Sequence, residues 1–399
     1  FPTVASAESP VMSADELTAA LTAGGEVQLG ASFTVETSDT TSISTETVLD
    51  LNGYTLIWNT SASCAVEVAP GGNLTICDRS TAQGGAVQII STHTTETLPT
   101  GLYVNRGTLN LESGTVSYRN DGKTSRAICV YGNTSNFSMS GGTIVTAGQS
   151  MYGIYVTNVS NTISVTGGTI DIGSGCNANY GVYVYNSAVT VNNLTVDGSK
   201  VDEQYDVICL YGGSSKGILE VQGGTYIANE NEDSYAVKVG SGNPTAISDG
   251  TFTGSVNLTS GKITGGTFSV IPPAQRLGDG LIVQWNSNTQ MYELVPGSYV
   301  ARIGDVGYMD WDSLFAACPD STVTQVYILS DAESITVPAN KNVRLSNMGG
   351  WNVGTIINNG TCEVYMYAMP DTQVINNGTF TLSREVGSIL NNAGATVTT

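Results

Sequence analysis

Histidine is nearly absent from this chain, with His93 alone among 399 residues. A zinc site or a histidine-based relay therefore has almost nothing to draw on. The seven cysteines, Cys64, Cys77, Cys129, Cys176, Cys209, Cys318 and Cys362, form no CxxC pair that could stand in. Positive charge is scarce too. Fourteen Lys and Arg against 34 Asp and Glu leave a net charge of −20, which repels phosphate backbones and anionic lipid and argues against a nucleic-acid partner. No run of about 18 apolar residues occurs, so no helical membrane span is expected. No P-loop, GxSxG, HExxH or dinucleotide fingerprint stands at a strand-to-helix junction. No charged-then-apolar signal segment precedes Phe1, and a start without Met suits a trimmed, exported protein. Export favours paired cysteines, so unpaired ones suit an oxygen-poor habitat or burial as small apolar side chains.

What is abundant is glycine, 47 residues, among many Thr, Ser, Asn and Val, the composition of short strands joined by tight turns. The organising unit is Gly153 to Ile172, GIYVTNVSNTISVTGGTIDI. Its first half recurs through Val66, Leu102, Ile128, Ile154, Val182, Ile208 and Val237, with later spacings of 26, 26, 28, 26 and 29. Its second half recurs through Thr115, Thr143, Thr169, Thr195, Thr225 and Thr251, at 28, 26, 26, 30 and 26. A near-constant period with insertions at fixed places marks a solenoid, and a unit of strands and turns alone makes it a β-helix. Alternation places Ile154, Val156, Ile163 and Val165 inward, two strands per turn, with glycines before Thr169 at the bend.

Residues 1 to 12 read as a tail. Ser13 with Glu16 three positions on forms a capping box for a short helix carrying Leu17, Ala20 and Leu21, ended by Gly24-Gly25. The repeat decays after Gly265-Gly266-Thr267, and Gly280 to Val295 reads as a β-hairpin turning at Asn286 to Asn288. Asp310 then caps a second helix with Leu314, Phe315 and Ala317, stopped by Pro319. The strands that follow parallel the start of the chain: Val326 and Ile328 against Val27 and Leu29, Ile335 to Val337 against Phe33 to Val35. Ile357-Asn358-Asn359-Gly360-Thr361 returns after 18 residues as Ile375-Asn376-Asn377-Gly378-Thr379, then as Leu390-Asn391-Asn392. The expected organisation is a β-helix domain over 1–271, a hairpin and linker over 272–296 with the boundary near Pro296, and a second, shorter β-helix over 297–399. The rhythm is unbroken at Thr399, so an open β edge is expected there.

The order of capping helix, DLNGYTL at Asp50 to Leu56, GGT-type turns, GGTFSVIPP at Gly265 to Pro273, a DGLIV hairpin and a second capping helix resembles the repeat-rich, adhesin-like surface proteins of gut anaerobic bacteria. These are similar to pectate lyases in fold. The resemblance implies an all-β protein, a right-handed parallel β-helix in two segments, located at the cell surface. It names no ligand.

Three groups of side chains could carry function. Tyr103, Tyr155 and Tyr183 share one outward column, with Cys129 and Cys209 in the same column, while Tyr131, Tyr185 and Tyr211 lie close to a second. Such an aromatic stripe suits binding of glycans or proteins, or tyrosines that stack on one another for stability. Asp171 and Asp197 follow the repeat threonine by two residues in consecutive turns, within about 5 Å, as the acids of a polysaccharide hydrolase or lyase would stand. Nearby loops bring Asp202, Glu203 and Asp206 beside Glu230, Glu232 and Asp233, a candidate Ca²⁺ site. Against catalysis, no Lys or Arg recurs near Asp171, and His93 reads as a solvated loop residue. Arg106, Arg119, Lys123 and Arg126 could receive an acidic sugar or a carboxylate, but an ion-pair patch with neighbours such as Glu112 and Asp121 accounts for them. Cys129 and Cys209, three turns or about 14 Å apart, are expected to be free thiols, and no Cys64–Cys77 bond is expected. The leading expectation is a non-catalytic, cell-surface adhesin that binds a glycan or a protein; the alternatives are a carbohydrate-active β-helix enzyme and a passive spacer.

Overall fold

A computed structural model of the chain describes residues 9–95, 98–149, 151–176, 179–213, 216–240 and 244–399. It is a parallel β-helix solenoid opened by one helix and resumed after another. Two compact units are present, one over 1–270 with 286–293, the other over 271–285 with 294–399.

The first unit begins with α1, Ala14–Ala23. The Ser13 side chain accepts the Glu16 N–H at its start, and Leu17 and Leu21 are buried. The Glu16 carboxylate accepts from the Met12 N–H, one residue earlier than the expected capping box. Residues 1–8 of the expected tail lie outside the described residues. Val11, however, is buried and bridges Leu29 in parallel, so the chain joins the solenoid before the helix.

Each turn in mid-solenoid holds three strands, not the two read from the sequence. In the organising unit they are Met151–Thr157, Thr162–Val165 and Thr169–Cys176. The third strand buries Ile170 and Ile172 as the first buries Ile154 and Val156 and the second Ile163 and Val165, so period two is met three times per turn. One face is a nine-stranded parallel sheet among the described residues. The other two merge where the long strands Ile218–Ile227 and Thr245–Thr253 run through the corner with shifts of register. The corner before the third strand needs glycine. Gly168 has φ +91, and a Cβ there would lie 2.3 Å from Met139 Cε and 2.8 Å from the Gly141 carbonyl.

Strand pairing aligns the threonines rung by rung, Thr115 to Thr143, Thr169, Thr195, Thr225 and Thr251, and on to Thr267. The other column aligns as expected except at one turn. Leu210, not Ile208, lies between Val182 and Val237, and Tyr211 follows Tyr183. The extra residues of that turn lie in the loop after Asp197, before the strand Val207–Gly212, and so move its register by two. Tyr226, Phe252 and Phe268 stack inside the barrel at 5.3 and 5.1 Å.

The second unit has its own helix, α2, Trp311–Ala317, whose first turn is held by Asp310 accepting the Ser313 N–H at 2.7 Å. Leu314 and Phe315 pack into a core with Val326, Ile335, Val343 and Phe380. Here each turn has two strands, one from the series Val323–Ile328, Asn342–Ser346, Thr361–Val364, Thr379–Thr381, the other from Ala332–Val337, Val353–Asn358, Met369–Asn376, Val386–Asn391. Losing one strand per turn is the reason the repeat shortens. Its rungs are joined by asparagine side chains, buried Asn358 to buried Asn376 and on to exposed Asn391 in one ladder, and Asn359 to Asn377 to Asn392 outside in the other.

Candidate functional site

The outward face of the nine-stranded sheet carries the tyrosines. One column runs Tyr103, Cys129, Tyr155, Tyr183, Tyr211. A neighbouring one runs Arg126, Tyr152, Tyr180, Ile208, Tyr235, bringing in Tyr152 and Tyr180, which sequence reasoning passed over. Both are signalled by the tyrosine standing three residues before Tyr155 and Tyr183. Tyr131 and Tyr185, in register through Thr157, form two members of the second column expected and are exposed, while Tyr211, expected with them, stands in the first column because of the register shift. Cys209 is not in the tyrosine column; the register shift turns it fully inward.

Rings stack along the columns, Tyr152 on Tyr180 at 4.9 Å and Tyr155 on Tyr183 at 5.0 Å, nearly parallel. Across columns they meet edge to face, Tyr152 with Tyr155 at 5.2 Å and Tyr180 with Tyr183 at 5.3 Å. Tyr211 tilts over both, 5.4 Å from Tyr180 and 4.7 Å from Tyr183. This alternation suits the ring quadrupole. Where Cys129 interrupts the column, the Arg126 guanidinium fills the missing ring's place. It lies 4.9 Å from the Tyr155 centroid and donates to Cys129 Sγ at 3.1 Å. Burial pushes the phenols up, Tyr103 and Tyr180 to about 12, with Tyr152, Tyr155 and Tyr183 also raised, because the phenolate loses its hydration among other rings.

Asp171 and Asp197 are direct partners in adjacent rungs, as expected. The expectation that no basic residue stands near Asp171 is overturned: Lys200 Nζ lies 2.6 Å from Asp171 Oδ2. It comes from the loop after Asp197, distant in the repeat pattern but folded back over the preceding rung. Asp197 Oδ1 is taken by the Ser199 N–H and hydroxyl. The ammonium is held protonated by hydrogen bonding and attraction to Asp171, the opposite of what a sugar-deprotonating base requires.

The six acids proposed for Ca²⁺ do not assemble. Among the described residues no group of three or more His, Cys, Asp or Glu is placed to hold a metal ion. Asp202, Glu203 and Glu230 instead rim a cavity of about 560 Å³ floored by Val201 and Ala228. Its wall is fixed by buried Asn229, which donates to the carbonyls of Val201, Asp202 and Tyr205. Asp206, Glu232 and Asp233 do not line it. Of the basic group, Arg119 pairs with Asp121 at 2.8 Å while Arg126 turns to the tyrosines. His93 Nδ1 contacts the Ser61 carbonyl at 2.9 Å in its loop. Cys64, Cys77, Cys129, Cys209, Cys318 and Cys362 are free, buried thiols, and the side chain of Cys176 lies outside those described. Burial raises Cys77 to about 11 and Cys362 to about 12.

Fold and face together define a parallel β-helix solenoid with an aromatic outer sheet. Compared with protein-family models, with curated proteins and with solved structures, the chain matches none. No helix among the described residues is long and apolar enough to cross a membrane.

Proposed function

We propose that this is an exported, cell-surface protein of the adhesin-like type, which binds a glycan or a protein through its tyrosine face and is not catalytic. The single observation that carries the reading is the joined double column of Tyr152, Tyr155, Tyr180, Tyr183 and Tyr211, half-buried rings gathered on one outward sheet. Pre-stacked rings lose little rotamer freedom on contact, so area gained by a partner is not offset by ordering. The pectate-lyase-like relationship belongs to the same reading, as a shared scaffold without the chemistry.

The test is a glycan array and a cell-surface pull-down with the parent and a Tyr155→Ala, Tyr183→Ala variant. Loss of retention while the variant remains folded at the assay temperature supports the reading; retention equal to the parent's removes the tyrosine face from it. A second reading, a carbohydrate-active enzyme, draws on the placement of Asp171 and Asp197 as direct partners in adjacent rungs, with Lys200 as an ion-pair partner of Asp171 and not as a base. Incubation with pectins and host glycans, with and without Ca²⁺, decides it, since no product across the panel ends that reading.

A further inference from the structure

The stacking geometry narrows what the tyrosine face can take, granted that it is a binding face. Tyr152 on Tyr180 and Tyr155 on Tyr183 lie nearly parallel and one rung apart, so each of these rings partly covers its neighbour's face, while Tyr211 tilts by 43° from Tyr183. An incoming ligand meets ring edges and hydroxyls instead. Among the described residues the hydroxyls of Tyr152, Tyr180, Tyr183 and Tyr211 are bonded to no protein group and are not sealed from solvent, and burial of the rings keeps those of Tyr152, Tyr180 and Tyr183 protonated. They form a comb of donors and acceptors repeating at about 5 Å along the solenoid axis.

That repeat discriminates among polymers. An extended peptide advances about 3.3 Å per residue, and its side chains return to one face only every second residue, so it falls out of step with the rungs. A pyranose with its glycosidic oxygen advances by close to one rung. Charge narrows the choice again. The two cations bordering the panel are each laid on a ring, Arg126 over Tyr155 and Lys238 over Tyr235 at 4.2 Å. Arg126 also spends one Nη on Cys129, and its Nε is sealed from solvent. A chain of net charge −20 with its local cations so engaged disfavours an acidic sugar.

We propose that the panel binds a linear, uncharged glycan laid along the solenoid axis, one sugar per rung over the three rungs from Tyr152 to Tyr211, by hydrogen bonds to the tyrosine hydroxyls. The test is titration calorimetry of the full chain with uncharged linear oligosaccharides of two to six sugars and several linkages, beside oligogalacturonides. Affinity is expected to rise to the trisaccharide and level off. Tyr180→Phe and Tyr183→Phe keep the stack and remove only the hydroxyls, so each is expected to weaken binding about fivefold with no change in melting. Preference for oligogalacturonides, or full affinity in the double Phe variant, overturns the inference; if such binding is still lost in the Tyr155→Ala, Tyr183→Ala variant, the binding face itself stands. Binding of no glycan, with a protein captured through the same tyrosines, overturns the glycan and keeps the face. Capture of neither removes both.

Discussion

Asn376 and Asn377 are adjacent, chemically identical and set in the same INNGT repeat, yet their replacement by alanine should have very different effects. Asn376 is fully buried. Its Nδ2 donates to Asn391 Oδ1 at 2.7 Å and to the Thr396 carbonyl at 3.0 Å, and its Oδ1 accepts from Asn358 Nδ2 at 2.8 Å and the Gly378 N–H at 3.2 Å. Removing it breaks four bonds, each contributing about 1 kcal/mol net, and strands the Gly378 N–H beneath the turn, for a total of about 3 to 5 kcal/mol. Asn377 is exposed, and its bonds to Asn359 and Asn392 can be replaced by water, so its loss should cost about 0.5 kcal/mol. The assay is differential scanning calorimetry of the full chain. For a unit of this size, Asn376→Ala should lower the transition of the second unit by about 10 to 20 °C and Asn377→Ala by no more than about 2 °C. Equal shifts from the two variants would refute the reasoning, because they would mean the inner ladder contributes no more than the solvated one.

Gly181→Ala places a Cβ 2.5 Å from the Cys209 carbonyl of the next rung and 2.5 Å from Val196 Cγ1, so urea unfolding should show a loss of about 1 to 3 kcal/mol, whereas Gly84→Ala, with open space around it, should be close to neutral. A stable Gly181→Ala protein would show that the rungs can part there. The tyrosines predict an alkaline limit. Tyr103 and Tyr180 titrate near 12 in the folded state against an ordinary value of about 10, so their contribution is fully present below pH of about 10 and is lost as pH rises through the folded value. Phenolate absorbance should show a late-titrating set that joins the ordinary one on unfolding; if all 19 tyrosines ionise together near 10 in the folded chain, the rings are not shielded as described.

Much of this was legible from spacing. The threonine column is legible residue for residue because each of these strands opens after a tight corner with positive φ, supplied by glycine before Thr115, Thr143, Thr169, Thr225 and Thr251 and by Asn193 before Thr195, and a corner so constrained cannot drift. The third strand of each turn escapes the pattern because Thr169 to Ile172 reads equally well as the tail of a GGT turn. Spacing misplaces Ile208 because an insertion can sit before or after a strand with the same total length, and spacing alone does not distinguish the two. By its neighbours in the chain Arg126 belongs to a basic cluster, yet the thiol gap at Cys129 draws its guanidinium into the ring stack.

The sequence by itself determined the solenoid, its two capping helices and the outward place of the tyrosines, since these follow from period, capping chemistry and alternation, all local to a few residues. Only the tertiary structure decided what those outward residues meet. Whether rings turn faces or edges to solvent, whether Lys200 reaches Asp171 and whether acids converge on a cation depend on neighbours one rung away, some 26 to 30 residues distant in the chain, and no local pattern encodes that contact.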